Sequence, residues 1–119
     1  MTAIIDTSLL VGSLAPELDE PWVVSVVSVG ELQAGVLMAQ DAVVRAQRLR
    51  RLTAILAEAP LVAVEHTVAA RYGELRGATG RPPANDLWIA ATALAYDFTV
   101  VTADEGLASL PLIRATRVT

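Results

Sequence analysis

The sequence predicts an α/β fold in which a short, mostly parallel sheet of four or five strands is flanked by helices. Short apolar runs such as residues 3–5 and 99–102 alternate with longer segments of helical periodicity. Strands that alternate with helices are typical of βαβ units, whose strands pair in parallel. The chain has 119 residues, which fits one domain spanning residues 1–119 with one core.

The first half of the chain is expected to contribute two strands and two long helices. In order, the expected elements are a strand at 3–6, a short helix at 7–11, a loop at 12–21, a strand at 22–25, and helices at 28–38 and 41–58. Ser28 is the expected cap of the first long helix, because a Ser side chain accepts a hydrogen bond from the first helical N–H groups, and the second is expected to begin at Asp41. Pro60 ends the second long helix.

The second half is expected to add two more strands, two helices and a possible edge strand. In order, these are a strand at 61–64, a helix at 67–76, a Gly/Pro loop at 77–83, a helix at 86–97, a strand at 99–102, and an edge strand within 112–114 or 116–118. The helix at 86–97 is apolar almost all round, so it should be buried on most sides.

The composition excludes several functional classes. All nine basic residues are arginine, so the lysine of a phosphate-binding P-loop is missing. Cysteine is absent and His66 is the single histidine, which excludes thiolate and multi-histidine zinc sites. The lack of cysteine suits a reducing cytoplasm.

The apolar content bears on partners and on location. Hydrophobic residues make up 54% of the chain, more than a small domain can bury, so we expect apolar surface to be covered in a homodimer or by another partner. No apolar run approaches the ~20 residues that span a bilayer, and the N-terminus lacks a charged-then-apolar leader. We therefore expect a cytoplasmic protein without membrane contact.

Four acidic residues stand where an α/β sheet would present them to one pocket. Asp6 ends the first strand, Glu31 and Asp86 are expected in first helical turns, and Asp104 follows the fourth strand by two residues. Ligands of such sheets bind beyond the carboxyl ends of the strands. Carboxylates without a matching cation repel one another, and oxygen ligands suit a hard divalent cation. The sequence therefore predicts a Mg²⁺ or Mn²⁺ site at this edge.

Each acid also has a purely structural interpretation as part of a helix start or a turn. The pairs with that interpretation are Ser28 with Glu31, Thr102 with Glu105, Asn85 with Asp86, and Asp6 with Thr7. Taken singly, Glu31 and the early-helix acid Asp104 favour the structural interpretation, and the alternatives stay open for Asp6 and Asp86. Four independent caps need not share one end of a sheet, whereas a metal site requires it, so the set as a whole favours a site.

In sequence order, these residues resemble the motifs of a PIN domain, and specifically of the VapC toxins of toxin–antitoxin pairs. The matching segments are Ile4-Ile5-Asp6-Thr7-Ser8, Ser25-Val26-Val27-Ser28-Val29-Gly30-Glu31-Leu32-Gln33-Ala34-Gly35, Asn85-Asp86-Leu87-Trp88-Ile89-Ala90-Ala91-Thr92-Ala93 and Val100-Val101-Thr102-Ala103-Asp104. Two departures are a short gap between Asp6 and Glu31, which bears on the dimer contacts, and Glu105-Gly106-Leu107 after the fourth acid.

The resemblance implies a PIN-like (Rossmann-like) three-layer fold and a Mg²⁺- or Mn²⁺-dependent endoribonuclease. Asp6, Glu31, Asp86 and Asp104 would be its acidic quartet and hold one or two ions. The substrate would be structured RNA such as transfer RNA, and a cognate VapB-type antitoxin would inhibit the enzyme. The alternatives are a catalytically silent PIN-like module that binds RNA or a partner, another metal-dependent phosphotransfer enzyme, and a purely structural fold.

Further side chains are candidates for supporting roles. Thr7, Ser8 and Thr102 could hydrogen-bond to the carboxylates or to a phosphate, and they could equally be caps. Among the arginines, Arg71, Arg76 and Arg81 are the better candidates for phosphate contact, because Arg81 lies five residues before Asp86. The alternative group at 45–51 is interpreted as a solvated helix face.

Overall fold

The computed structural model describes residues 1–11, 18, 20–80 and 82–118. Within these residues the chain forms strands and helices in alternation, as the sequence predicts. In chain order they are β1 (Ala3–Ile5), α1 (Thr7–Leu10), β2 (Trp22–Ser25), α2 (Val26–Met38), α3 (Ala42–Glu58), β3 (Leu61–Val62), α4 (His66–Thr79), α5 (Ala84–Tyr96), β4 (Thr99–Thr102), α6 (Glu105–Ala108) and β5 (Arg114–Arg117).

The strands form one five-stranded sheet in the order β3-β2-β1-β4-β5, and every pair in it is parallel. This confirms the predicted α/β fold and the parallel sheet. The central strand β1 pairs with β2 on one side and β4 on the other, with Ile4 opposite both Val23 and Val100. The chain order reverses at β1, so the carboxyl ends of β1 and β4 form the crevice at which such sheets bind ligands.

Helices cover both faces of the sheet and give it three layers. Alternate residues of β1 face opposite sides, because side chains of a strand alternate. Ile5 packs with residues of α2 and α3 such as Leu32 and Leu52, whereas Ile4 packs with residues of α4 and α5 such as Leu75. All residues of β1 are fully buried, so the strand that carries Asp6 is held between two apolar layers.

The start of α2 corrects one prediction from the sequence. The cap is Ser25, whose side chain accepts a hydrogen bond from the Val27 N–H at 3.0 Å, and the helix begins at Val26. Ser28 is therefore inside the helix, and the expected capping box of Ser28 with Glu31 is wrong. The chain passes from β2 into α2 without a loop, since the last strand residue is also the cap.

Other boundaries agree with the sequence or differ by a few residues. α3 begins next to Asp41, close to the predicted start, and Asp41 is its cap, through a bond from the Val43 N–H at 2.9 Å. β3 is shorter than expected, and α4 continues into the predicted Gly/Pro loop until Gly80, whose φ of +81° suits glycine. α5 begins after Pro83, so Asn85 lies inside the helix and is not its cap.

The remaining predictions concern the loop after α1 and the last strand. Most of the predicted loop at 12–21 lies outside the described residues. β5 covers residues 114–117, between the two edge strands proposed from the sequence. Within the part of the chain that the structure describes, none of the helices has the length and apolar character needed to cross a membrane.

Candidate active site

Asp6 stands at the carboxyl end of β1 and is nearly completely buried, with 3% of its surface exposed. Its Oδ2 atom accepts hydrogen bonds from the Ser8 hydroxyl at 2.7 Å, the Thr102 hydroxyl at 2.8 Å and the Ser8 N–H at 3.4 Å. Among the described residues, no hydrogen bond to Oδ1 is formed. The carboxylate is thus held by one oxygen, and the other is available to a ligand.

Thr102 and Ser8 link the end of β1 to the end of β4. The Thr102 hydroxyl donates to Asp6 and accepts a bond from the Asp104 N–H at 2.9 Å, while Ser8 Oγ accepts from the Ala103 N–H at 3.1 Å. A buried carboxylate is stable only when its lone pairs are satisfied. The two hydroxyls meet that need at Oδ2, and they set the position of the backbone that carries Asp104.

Glu31 reaches the same region from the second turn of α2, where it is the sixth helical residue. Thr7 Oγ1 lies 2.8 Å from Glu31 Oε1 and 2.8 Å from Ser28 Oγ. A hydroxyl has one proton and a carboxylate can only accept, so Thr7 donates to Glu31 and Ser28 donates to Thr7. The predicted first-turn position of Glu31 is wrong, and the helix dipole does not offset its charge there.

Asp86 lies in the first turn of α5, as predicted, and is half-buried. Burial, followed by the negative charges of Asp6 and Asp104 and then of Glu31, raises the pKa of Asp86 from 3.8 to about 6. The direction shows that the surroundings disfavour the ionised form. A cation would reverse that preference.

Asp104 is the N-cap of α6, and its carboxylate accepts bonds from the Gly106 N–H at 3.4 Å and the Leu107 N–H at 3.2 Å. The expected capping box of Thr102 with Glu105 is therefore wrong, because Asp104 takes the capping position. Thr102 caps nothing in the helix and instead supports Asp6. Asp104 is exposed, unlike Asp6, so it forms the outer part of the site.

All four acids line one cleft, with a volume of about 300 Å³, together with Thr7, Ser8 and Val11. We call it the acidic cleft. No arginine is among its described lining residues. The expected groups on α4 are used elsewhere: Arg71 pairs with Glu74 at 3.0 Å, and Arg76 donates to the Tyr72 hydroxyl at 2.7 Å. Arg81 lies outside the described residues, so its predicted role remains a prediction.

Comparison with known proteins identifies the family. The family model for the PIN domain matches residues 3–112, which is most of the chain. The chain belongs to the PIN-domain family.

Relatives of this PIN domain are VapC proteins. It is 38% identical to Ribonuclease VapC4 of Mycobacterium tuberculosis, over 92% of this chain and 91% of the relative, and 34% identical to Ribonuclease VapC5 of the same organism, over 90% and 86%. The crystal structure of VapBC-5 from M. tuberculosis, a member of the VapBC family of toxin–antitoxin systems, matches with a TM-score of 0.83 at 32% identity and covers 98% of both chains. The resemblance found in the sequence is thereby confirmed.

The oxygen atoms of the acidic cleft fit a divalent cation in chemistry. Carboxylates are the ligands of Mg²⁺ and Mn²⁺ in proteins. Among the described residues, however, no three acidic or histidine side chains lie close enough together to hold one ion jointly, although four acids line the cleft. A site with several acids around it but no three close together suits Mg²⁺. This ion keeps several of its waters and binds only one or two carboxylates directly.

Sequence reasoning missed the role of Ser28 in this PIN domain. Ser28, Leu32 and Val36 are the buried residues of α2, spaced four apart on one face. A serine on an otherwise apolar, core-facing stripe needs a polar partner. That spacing was the available signal, and the capping-box interpretation concealed it.

Asp86 makes the stability of the cation-free PIN domain depend on pH. Because folding raises its pKa, the folded state binds the proton more tightly than the unfolded chain between about pH 4 and pH 6. The stability that Asp86 contributes is therefore fully present below about pH 4 and is lost as the pH rises through 6. At pH 7 without cation, Asp86→Asn should stabilise the protein by roughly 1 kcal/mol, less than the full shift because solvent screens a half-exposed group.

Thermal unfolding in EDTA at pH 4 and pH 7 measures this effect. The control is Asp41→Asn, which removes one charge outside the cleft and keeps a side chain able to cap α3. A gain for Asp86→Asn that is equal at both pH values would contradict the assigned pKa.

Thr102→Val tests the link between β1 and β4. The change keeps the shape of the side chain, but Asp6 and the Asp104 N–H each lose a partner, so the free energy of unfolding should fall by about 1 to 3 kcal/mol. Chemical denaturation measures it. The matched control is Thr53→Val on the exposed face of α3, whose hydroxyl bonds only to the Leu49 carbonyl, and it should change stability by less than about 0.5 kcal/mol. Equal losses would show that Thr102 has no special role.

Proposed function

We propose that this PIN domain is the toxin of a type II toxin–antitoxin pair and cleaves RNA phosphodiester bonds with the help of Mg²⁺ or Mn²⁺. The observation that carries the proposal is the meeting of Asp6, Glu31, Asp86 and Asp104 in one cleft without a cationic side chain among its described lining residues. Curated relatives that cover most of the chain are named ribonucleases. Structured RNA such as transfer RNA is the proposed substrate, and the cytoplasm the proposed location.

Asp6, Asp86 and Asp104, with Glu31, would hold the cation, one or two of these carboxylates directly and the others through its bound waters. When bound, the cation lowers the pKa of water toward neutrality and offsets the charge that builds on a phosphate. Asp6 presents Oδ1 to the cleft because Oδ2 is bonded to Ser8 and Thr102. Burial and then its acidic neighbours raise the pKa of Asp86 to about 6, so binding of a cation would favour loss of its proton.

Glu31 is the best-placed group to accept a proton from the attacking water. Its Oε1 is anchored by Thr7, and the chain of hydroxyls from Ser28 restricts the side chain further. A carboxylate that is oriented before the reaction avoids the entropic cost of finding the productive geometry. Asp104, exposed at the rim of the cleft, is the alternative group for orienting the water.

A VapB-type antitoxin is the proposed inhibitor. A guanidinium of the antitoxin could enter the acidic cleft and form paired hydrogen bonds with carboxylates where the cation would bind. We also propose a homodimer, because large apolar side chains on α2 and α3 are exposed; they are Leu37, Met38, Val43, Leu49 and Leu56.

Cleavage of total RNA by the purified protein tests the proposed activity. Mn²⁺ or Mg²⁺ should support cleavage and EDTA should abolish it. Asp6→Asn and Asp86→Asn should each lower the rate at least ~100-fold, since charge stabilisation of several kcal/mol is lost. Mn²⁺ should also raise the melting temperature of the unaltered protein but not that of Asp86→Asn, because binding to the native state stabilises it.

Asp41→Asn is the control and should retain both the activity and the gain in melting temperature. Cleavage that survives EDTA would contradict the metal-dependent mechanism. RNA binding without any cleavage would instead support the alternative of a catalytically silent module.

Inhibition by the cognate antitoxin should compete with the cation. If a guanidinium occupies the acidic cleft, raising the Mn²⁺ concentration should raise the antitoxin concentration needed for half-inhibition. Antitoxin titrations at two Mn²⁺ concentrations, with ionic strength matched by NaCl, measure this. Half-inhibition that does not change with Mn²⁺ would show that the antitoxin acts outside the cleft.

A further inference from the structure

A second depression, which we call the arginine groove, opens beside the acidic cleft between α2 and α3. Its volume is about 880 Å³, and its lining includes Arg48, Arg50 and Arg51 together with Gly35. Val11 and Glu31 line both the groove and the acidic cleft. The two depressions therefore adjoin each other, and a ligand that extends from the cleft past Glu31 would reach the groove.

The position of the arginines follows from how α3 packs. Leu52 and Ile55 form the buried stripe of this helix. Arg48 precedes Leu52 by one turn, and Arg51 precedes Ile55 by one turn, so both flank the stripe along the junction with α2. The helical periodicity of α3 therefore places these positive charges at the junction with α2.

Hydrogen bonds to the backbone hold two of these side chains in place. Arg48 donates through Nη1 to the Gly35 carbonyl at 2.7 Å, and Arg51 donates through Nε to the Leu10 carbonyl at 3.0 Å. A guanidinium has five N–H donors, so most remain for a ligand. Arg50 is exposed and has no side-chain hydrogen bond within the described residues.

Within the described residues, the arginines of the groove have no acidic ion-pair partner. Among the described residues, ion pairs involve Arg71, Arg114 and Arg117, and none involves an arginine of the groove. The chain as a whole carries a net charge of −4. A local row of guanidinium groups without ion pairs to the described residues, in an acidic protein, is the arrangement expected for a site that attracts an anionic polymer.

We propose that the arginine groove binds the phosphates of the RNA strand that continues from the bond held in the acidic cleft. This rests on the proposed function and adds the path of the substrate. Gly35, whose carbonyl holds Arg48, follows Glu31 by four residues on α2, which is about 6 Å along the helix axis. The first guanidinium therefore lies about one helical turn beyond the cleft. Guanidinium groups bind phosphate through paired hydrogen bonds.

The groove replaces Arg71 and Arg76 as the principal site of phosphate contact. Those two side chains bond to residues of their own neighbourhood, whereas the groove shares two lining residues with the cleft. The groove also contains the apolar side chains of Val11 and Val44, which could contact the helix of a protein partner. The position next to the acidic cleft, and the lack of ion pairs between the groove arginines and the described residues, favour RNA.

RNA binding measured in EDTA tests the proposal without any cleavage. Binding is measured by fluorescence anisotropy with a labelled single-stranded RNA of about ten nucleotides, a length within the range that single-strand binding grooves contact. Arg50→Gln should weaken binding about tenfold, as expected for a lost charge-assisted contact. The double variant Arg48→Gln/Arg50→Gln should weaken it further. The slope of log K against log salt should become shallower by about 0.7 for each arginine removed.

Arg114→Gln is the matched control, because it removes the same charge from β5 at the far edge of the sheet. It should leave the affinity and the salt slope nearly unchanged. Thermal unfolding of each variant verifies that the fold is intact.

A second pair of variants blocks the groove and keeps every arginine. A Cβ added at Gly35 would meet no atom within 4 Å, and the same holds for Gly30, which lies on α2 outside the groove. Gln is a good helix former, so both Gly35→Gln and Gly30→Gln should fold. We expect Gly35→Gln to weaken RNA binding several-fold, by occupying the groove, and Gly30→Gln to leave it unchanged.

The outcomes separate this proposal from the proposed function. RNA affinity and salt slope that are unchanged in the arginine variants would overturn the arginine groove as an RNA site, including when the same variants bind the antitoxin less tightly. A protein that cleaves RNA while these variants bind RNA normally would refute only the groove. A protein that binds RNA through the groove and never cleaves it would refute only the nuclease activity.

Discussion

The structure of the acidic cleft depends on the hydrogen bonds that hold the buried carboxylate of Asp6. Asp6 is the innermost of the four acids, and its Oδ2 accepts from Ser8 on α1 and from Thr102 on β4. The Thr102 hydroxyl also accepts the Asp104 N–H. One oxygen of Asp6 is thus used to join two strand ends, and this leaves the other free to act in the site. The same bonds that satisfy a buried charge also determine the geometry of the cleft.

The cleft is electrostatically unfavourable in the absence of a cation. Burial and three neighbouring carboxylates raise the pKa of Asp86 to about 6. Helix caps alone would not require the four carboxylates to lie close together, since each cap could be placed away from the others. The cost is tolerable because the remaining acids are bonded to donors, Glu31 to Thr7 and Asp104 to the first N–H groups of α6. The acidic cleft therefore lowers the stability of the cation-free protein, and a divalent cation would relieve the repulsion among its carboxylates.

The arginine groove complements this arrangement. An acidic cleft repels RNA, so a nuclease with a negative net charge needs positive charge beside the reaction centre. The arginines of α3 lie within reach of the cleft because α2 and α3 pack against each other and because the Gly35 carbonyl on α2 accepts a hydrogen bond from Arg48. Glu31 is at the boundary between the negative and the positive surfaces. In the proposed mechanism, the acidic cleft would serve catalysis and the adjoining arginine groove would serve substrate binding.

The sequence alone determined the alternation of strands and helices, the parallel sheet and the acids at its edge, because apolar periodicity and carboxylate positions are local patterns. It misplaced the start of α2, because Ser25 and Ser28 are both plausible caps and only the length of β2 decides between them. The tertiary structure decided the partners of Thr7, Ser28 and Thr102, which join residues 21 to 96 positions apart. It also decided which arginines adjoin the cleft. Such contacts depend on helix packing across the sheet, and a local pattern carries no information about that.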